Sequence, residues 1–271
     1  WGKGRPGWHI ECSAMAKRYL GDTIDIHCGG SDLRFPHHTN EIAQSECANG
    51  CKFSKMWFHV GFVNVNNEKM SKSKNNFFTV RDAAAVYGYE AIRFFMLSAH
   101  YRSPLNYSRE SLEQAKAALE RLNTALKNLR FLVKNGAEGE MTALESETSA
   151  KFEEYREKFC TAMDDDMNTA DAVAAIFEAV REINTAAAGA GVTKAYAQKA
   201  LEFMTELCAV LGIGEIEEKG GDDAKIEKLI EARQTARKAK DFKEADRIRD
   251  ELKARGIEII DTPQGAKWRK V

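Results

Sequence analysis

Lys69-Met70-Ser71-Lys72-Ser73 is the most informative stretch of this chain. It follows the apolar run 60–63 and lies in a polar segment that extends over 66–76. This order predicts a strand that opens into a polar loop. Lysine ammonium groups and serine hydroxyls suit the oxygens of a triphosphate. Lysines alone fit a solvated run of charge equally well, so the complete pentapeptide carries the prediction of a phosphate-binding loop.

Composition restricts the class of protein without identifying it. The chain has 271 residues and a net charge of −1, so any surface that binds a polyanion has to be local. Six cysteines without disulfide-type spacing indicate a reducing cytoplasm. No apolar run approaches the ~20 residues that span a membrane. The first residues do not resemble a natural start, and we expect the chain to be the C-terminal portion of something longer.

One candidate binding segment lies within residues 24–33. Its first part alternates as a strand would and ends in Gly29-Gly30, just before Asp32. A break at paired glycines lets a ligand approach the backbone, and Asp32 is placed to accept from a ribose hydroxyl. An ordinary turn explains the same four residues equally well.

A metal site is the second hypothesis for this region. We predict that Pro36 is the first residue of a helix, which places His37 and Glu41 on one face at i and i+4. An imidazole and a carboxylate at this spacing can share a zinc ion, and Cys12 is a natural thiolate partner. Taken separately, the pair also fits a surface hydrogen bond, and Cys12 fits a buried core thiol.

The remainder of the chain is predicted to be mainly helical. After 108 an amphipathic helix is expected, followed by helices through 152–159, over 170–183 and over 195–211. The acidic triplet 164–166 is interpreted as charge near a helix start rather than as a metal site. Residues 213–223 are interpreted as a linker. The periodic apolar positions of the first helix are Leu112, Ala115, Leu119, Leu122, Leu126 and Leu129.

The tail from 224 to 271 differs from the rest in charge. It contains fourteen Lys and Arg against nine Asp and Glu, an excess of five. Two helices and a short hairpin are predicted, with an Asp241–Glu244 capping box before the second helix. Trp268 is expected either in the core or as a stacking platform. A solvated helix face explains the charge, as does a phosphate backbone. The basic cluster consists of Arg233, Arg237, Lys238 and Lys240.

These motifs together resemble a known family. The 69–73 stretch resembles the second ATP-binding signature of class I aminoacyl-tRNA synthetases. The whole chain resembles bacterial cysteinyl-tRNA synthetases. The segments that carry this resemblance are 4–12, 35–38, 77–82, 100–103, 164–169 and 263–269.

The resemblance implies a role for each candidate. Zinc in that family is bound by two cysteines, a histidine and a glutamate, and Cys12, His37 and Glu41 match three of them. A zinc–thiolate bond to the substrate distinguishes cysteine from serine, which shape alone does poorly. Trp8 matches a residue packed against the substrate, and His27 matches the pocket wall. The catalytic residues implied are Lys72, with Lys69 behind it, and the ATP site adds Ser71, Ser73, Gly30 and Asp32.

The resemblance further implies cysteine, ATP with Mg²⁺ and tRNA(Cys) as partners of a monomeric, cytoplasmic enzyme. The His-Ile-Gly-His signature of the family and its upstream zinc-ligating cysteine have no counterpart in the sequence, so we expect the chain alone to be inactive. The expected organisation is an α/β half of a Rossmann-type catalytic domain (1–107), an all-α bundle (108–212), a linker (213–223) and an α+β anticodon-binding domain (224–271). Two alternatives remain: a zinc-dependent cysteine:amino-sugar ligase and a non-catalytic tRNA-binding fragment.

Overall fold

The computed structural model describes residues 2–70, 76, 79–189, 191–214, 221–239, 241–262 and 265–270. Ser71, Lys72 and Ser73 lie outside these ranges. Contacts divide the chain into two compact units, one formed by Trp1–Lys116 and Met163–Ala170 and the other by Ala117–Ala162 and Asp171–Val271. Within the described ranges, each helix is too short or too polar to cross a bilayer.

A parallel pair of strands forms the centre of the first unit. Strand β1 (Ile24–Gly30) pairs with β2 (Ser54–Val60), and helix α2 (Thr39–Asn49) lies between them in the chain. A helical crossover of this kind is what parallel neighbours require. Helix α1 (His9–Leu20) packs against α2. The predicted α/β character of this region is confirmed.

The segment before α2 contains the predicted helix start at Pro36. Arg34–His38 forms a π-type turn that runs directly into α2, and Phe35 is its only residue with non-helical φ/ψ, so helical backbone begins at Pro36. Phe35 is extended, with φ −139° and ψ 133°. The residue before a proline is sterically driven out of the helical region, so a regular helix cannot run through this point. His37 therefore lies in the turn, while Glu41 lies in the first turn of α2.

A small mixed sheet contains Lys69, the first residue of the predicted phosphate-binding loop 69–73 (the signature loop). Strand β3 (Val63–Val65) pairs antiparallel with β4 (Glu68–Lys69) and parallel with β5 (Leu105–Tyr107). The two-residue turn between β3 and β4 consists of Asn66 and Asn67, with φ of 50° and 65°. Paired positive φ values favour this type of hairpin turn, and Asn tolerates them better than most residues. Lys69 is therefore held at the end of a regular hairpin.

Helices dominate the chain after this sheet. Helices α3 (Val80–Tyr87) and α4 (Tyr89–Leu97) are followed by the long α5 (Arg109–Asn135). The predicted periodic positions of α5 are all buried, which confirms that prediction. The second unit continues with α6 (Ala143–Ala150), α7 (Phe152–Asp164), α8 (Thr169–Ala186) and α9 (Lys194–Leu211). Of these, α6 was not predicted.

A buried carboxylate connects α6 to α9. Glu145 accepts from the N–H of Thr142 at 2.7 Å, and the Thr142 hydroxyl accepts in return from the N–H of Glu145, which forms a capping box. Glu145 also accepts from the N–H and hydroxyl of Thr193, at 2.8 and 3.0 Å. Burial alone would raise the pKa of Glu145, but these hydrogen bonds lower it below its ordinary value.

The tail forms its own small core. Helix α10 (Gly221–Lys238) packs on α11 (Phe242–Ala254), and strands β6 (Ile257–Thr262) and β7 (Gly265–Lys270) form an antiparallel hairpin. The Asp241 side chain accepts from the N–H of Glu244, which confirms the N-cap half of the predicted capping box. The N–H of Asp241 donates to the Ala236 carbonyl, not to the Glu244 carboxylate. Trp268 packs against the apolar cluster, so of its two predicted roles the structure supports the core one. The buried members of the cluster are Ile226, Ile230, Ile248, Leu252, Ile257 and Ala266.

Glu145 provides a test of this arrangement. Replacing Glu145 with Gln should lower the free energy of unfolding by about 1–3 kcal/mol at neutral pH, because several hydrogen bonds to a charged group are lost. Since the folded-state pKa is depressed, the stabilisation is complete above the unfolded value of about 4.3 and is lost as pH falls through the lower folded-state pKa. Denaturant unfolding at several pH values measures this. Exposed Glu147, on the same helix, is the matched control. An equally steep acid limb in wild type and Glu145→Gln would contradict the assignment.

Candidate functional site

Three side chains from three elements of the first unit meet at one point. Cys12 comes from α1, His37 from the turn and Glu41 from α2. The Cys12 sulfur, a ring nitrogen of His37 and a carboxylate oxygen of Glu41 all lie within 4.8 Å of one another. His37 and Glu41 are buried, and Cys12 is half-buried. The separation along the chain shows that tertiary structure, rather than local spacing alone, assembles the trio.

Glu41 is the most enclosed of the three residues, with a relative exposure of 0%. Its Oε1 accepts from Nε2 of His27 at 3.1 Å. Its Oε2 lies 3.4 Å from Nε2 of His37 and 4.0 Å from Nε2 of His38, and it has no hydrogen-bond partner among the residues that the structure describes. A buried carboxylate oxygen in this condition is costly unless a cation compensates it.

His37 is held from both sides. The Trp8 ring stacks on it, with centroids 3.7 Å apart and planes 6° apart. Its Nδ1 lies 2.7 Å from Nδ1 of His9, one turn before Cys12 on α1. Because His9 occupies Nδ1, Nε2 is the nitrogen that faces Glu41. Orientation of a ligating imidazole through its second nitrogen is usual at metal sites.

Aromatic and imidazole side chains on β2 extend the cluster, and sequence reasoning missed them. His38 Nδ1 lies 2.8 Å from Nε2 of His59, and Trp57 stacks on His27 at 4.5 Å. A Cβ on Gly29 would lie 2.6 Å from the His38 ring, so glycine is required there. The parallel register explains the grouping, because it places Trp57 beside His27 and His59 beside Gly29.

The concentration of histidines near the start of the chain was the sequence signal that could have identified this cluster. The chain contains six histidines, and all except His100 belong to this cluster. Trp57 and His59, two apart on a strand, were also recognisable as sharing one face.

The pKa values of His38, His59 and Cys12 are shifted in the direction that favours their neutral forms. Burial, followed by repulsion from His27, His59 and His37, lowers the pKa of His38 to about 4. Burial, then Arg34 and His27, also lowers the pKa of His59. Burial, then the charges of Glu41 and Glu11, raises the pKa of the Cys12 thiol. A cation bound among these groups would displace the thiol proton.

The donor set fits zinc. A thiolate, an imidazole and a carboxylate match the ligand types that zinc accepts, and soft sulfur favours it over magnesium or calcium. Glu41 Oε2 supplies the orphaned buried atom that such an ion would satisfy. Atoms of His27, His38 and Glu41 also lie within 4.8 Å of one another. Because His27 already donates to Oε1, we assign this second trio to the surroundings of the first.

The predicted nucleotide-binding residues Lys69 and Asp32 lie next to each other. The Lys69 ammonium group lies 3.5 Å from Oδ2 of Asp32 and 4.0 Å above the Phe62 ring. A Cβ added to Gly30 would lie 2.5 Å from Oδ1 of Asp32, so the glycine leaves room for that carboxylate. Asp32 and Lys69 are therefore adjacent, as a shared ligand requires.

The tail corrects one member of the predicted basic cluster. Arg233 is only 7% exposed, because it follows Ile226 and Ile230 by seven and three residues and shares their buried face of α10. Arg237 is exposed. Further along, Arg247 pairs with Glu244 at 2.7 Å, so part of the basic excess of the tail is neutralised internally.

Comparisons with known proteins agree along the whole chain. The family described as tRNA synthetases class I (C) catalytic domain matches residues 1–117. The DALR domain matches 158–215, and the cysteinyl-tRNA ligase anticodon binding domain matches 220–269. The chain is 53% identical over all 271 residues to the cysteine–tRNA ligase of Clostridioides difficile (strain 630), and 52% identical to that of Symbiobacterium thermophilum. It spans 58% and 57% of their lengths.

Solved structures share the fold at low identity. An Agrobacterium radiobacter K84 agnB2 LeuRS in a ternary complex with tRNA and LeuAMS superposes with a TM-score of 0.55 and 18% identity, over 71% of this chain and 28% of that one. Mycobacterium tuberculosis methionyl-tRNA synthetase with methionyl-adenylate gives 0.52 and 21%, over 69% and 40%. The solved structures show a shared fold, and over its whole length the chain is similar in sequence to cysteine–tRNA ligases, with its first 117 residues matching the class I tRNA synthetase catalytic family.

Proposed function

We propose that the chain, within a protein of its relatives' length, activates cysteine with ATP and transfers it to tRNA(Cys). The observation that carries this proposal is the trio of Cys12, His37 and Glu41, situated in the same unit as the Asp32–Lys69 pair. One part of the unit thus offers soft ligands for a thiol-selecting metal, and another offers charge for phosphates. Free thiols at all six cysteines agree with the reducing cytoplasm inferred for this activity.

Recognition of cysteine would depend on the residues around Glu41. Bound zinc supplies a Lewis acid that prefers the substrate thiolate to the hydroxyl of serine. Cys12, His37 and Glu41 would hold it, with His9 and His27 fixing the two ligands they contact. The half-exposed Trp8, stacked on His37, would cover the amino acid.

Adenylate formation would depend on positioning and charge. In this proposal Lys72 and Lys69 stabilise the departing pyrophosphate, and Ser71 and Ser73 contact the phosphates. Asp32, at the end of β1, would accept from a ribose hydroxyl, with Gly30 leaving space for the nucleotide. The cysteine carboxylate would attack the α-phosphate of ATP with loss of pyrophosphate. A hydroxyl of the terminal ribose of tRNA would then attack the acyl carbon and release AMP.

Recognition of tRNA is assigned to the tail and supported by the match of residues 220–269 to an anticodon-binding domain. That match favours the tRNA ligase over the cysteine:amino-sugar ligase, which has no need of such a domain. The exposed lysine and arginine side chains of the tail would contact the phosphates of tRNA, while Trp268 remains in the core. We also propose that the complete enzyme is a monomer.

Metal binding is the first test, and it needs only the present chain. Cobalt(II) substituted for zinc should give a thiolate-to-metal absorption band that Cys12→Ser abolishes, because sulfur is the only soft ligand proposed. Cys47→Ser, at an exposed cysteine on α2, is the matched control and should retain the band. Equal spectra for the two variants would exclude Cys12 as the ligand.

The phosphate role is tested in a protein of the relatives' length that contains this chain. Lys72→Ala should depress cysteine-dependent ATP–pyrophosphate exchange by at least about 100-fold, as loss of one positioned transition-state donor does, while changing the KM for cysteine little. Lys55→Ala, which removes an exposed lysine paired with Asp25, is the control. A dominant effect of Lys72→Ala on cysteine binding would move it from the phosphate site to the amino-acid pocket.

The role of the tail is tested by removing 224–271 from the same protein. Aminoacylation of tRNA should fall steeply, because phosphate contacts are lost, whereas pyrophosphate exchange should remain largely intact. The tail buries its own apolar cluster, which supports independent removal. Equal loss of both activities would show that the tail supports the catalytic fold instead.

A further inference from the structure

A strained turn between α7 and α8 contains a carboxylate that the proposed function does not use. Asp166 and Met167 both have φ of +55°, a left-handed conformation that non-glycine residues adopt rarely. Such conformations persist where the surroundings determine them, and they concentrate at functional positions. The segment Met163–Ala170 belongs to the first unit, although α7 and α8 continue into the second.

The Asp166 carboxylate joins three consecutive side chains of the turn after α4. Its Oδ1 accepts from the Tyr101 hydroxyl at 2.7 Å. Its Oδ2 lies 2.8 Å from Nη2 of Arg102 and 3.6 Å from Nε2 of His100. Burial, then the hydrogen bond to Asp166, raises the pKa of Tyr101, so its hydroxyl is a donor at neutral pH. Asp166 is itself half-buried.

The backbone of this turn continues the contacts toward the signature loop. The Tyr101 carbonyl accepts from the N–H of Gly61 at 2.8 Å, and the N–H of Leu105 donates to the Phe62 carbonyl at 2.8 Å. A Cβ on Gly61 would overlap the Ser103 carbonyl, so the two segments are in close contact.

Phe62 and Val63 complete the connection. The Phe62 ring lies 4.0 Å beneath the Lys69 ammonium group, and the Val63 carbonyl accepts from the N–H of Met70 at 3.3 Å. Every step from Asp166 to Lys69 is thus a direct contact within one unit.

We propose that Asp166 is a positioning residue for ATP, which fixes the turn of residues 100–103 and through it the base of the signature loop. The carboxylate touches no reacting atom. It acts by holding Tyr101 against Gly61, so that Lys69 is held at the end of a rigid hairpin. This inference rests on the proposed function, because it takes Lys69 to be a phosphate ligand.

The first experiment measures order at the base of the loop in the present chain. Asp166→Asn removes the charge, and Asn tolerates the left-handed backbone, so the turn itself should persist. Amide hydrogen exchange at Gly61 and Leu105 should become about tenfold faster, as expected for loss of a charged hydrogen bond. Amides of β1 should be unchanged. The exposed neighbour Asp165, replaced by Asn, is the matched control.

The second experiment measures ATP–pyrophosphate exchange in the protein of the relatives' length. Asp166→Asn and Tyr101→Phe should each raise the KM for ATP and lower kcat about tenfold, without changing the KM for cysteine. The double variant should cost little more than either single one, because both remove the same contact. Asp165→Asn should behave as wild type.

The outcomes separate the two proposals. If amide hydrogen exchange at Gly61 is unchanged in Asp166→Asn, or if the amides of β1 exchange faster by the same factor, the positioning role is wrong and the proposed function still stands. Faster amide hydrogen exchange in Asp166→Asn with an unchanged KM for ATP would also overturn the positioning role, provided that Lys69→Ala raises the KM for ATP. If Lys69→Ala leaves the KM for ATP unchanged, the phosphate assignment in the proposed function fails, and the positioning role fails with it.

Discussion

The buried carboxylate of Glu41 is the constraint around which the first unit is arranged. An ionised carboxylate with no exposure is expensive unless it is paired or hydrogen-bonded. Here one oxygen has His27, while the other faces imidazoles without a hydrogen bond. Burial holds the pKa of His38 at about 4, so that ring is neutral and cannot compensate the charge. The proposed cation between Glu41, His37 and Cys12 would resolve this imbalance, and the cluster therefore supports a metal site over a packing defect.

Placement of the cluster depends on two features of the backbone. Helical backbone that begins after the extended Phe35 places His37 at i,i+4 and His38 at i,i+3 to Glu41. Parallel pairing of β1 with β2 then sets His59 against Gly29, where only a missing side chain leaves space for the His38 ring.

The sequence predicted regular structure well and the site in part. Leucine periodicity identified α5, and the Asp241 cap identified the start of α11, because both signals are contained within a few residues. Helix α6 was missed although Thr142 and Glu145 form a local capping box, because its buried residues are polar and apolar periodicity does not detect them. They are Glu145, Thr148 and Ser149. His9 and His59 were missed because their partners lie 28 and 21 residues distant. Arg233 was assigned to the surface from its charge, whereas its helical spacing places it on the apolar face.

The Asp32–Lys69 pair shows how the proposed ATP site can be ordered before nucleotide binds and still accept it. Both side chains are about half exposed, at 50% and 56%, so their attraction is screened and contributes only ~0.2–1 kcal/mol. A triphosphate offers Lys69 several formal charges in place of one, so exchange of partners costs little. Asp32 is then released beside Gly30, where a neutral hydroxyl is a better partner than a second anion. The same weak pair therefore keeps the lysine near its position and leaves both groups available, which a buried ion pair would not permit.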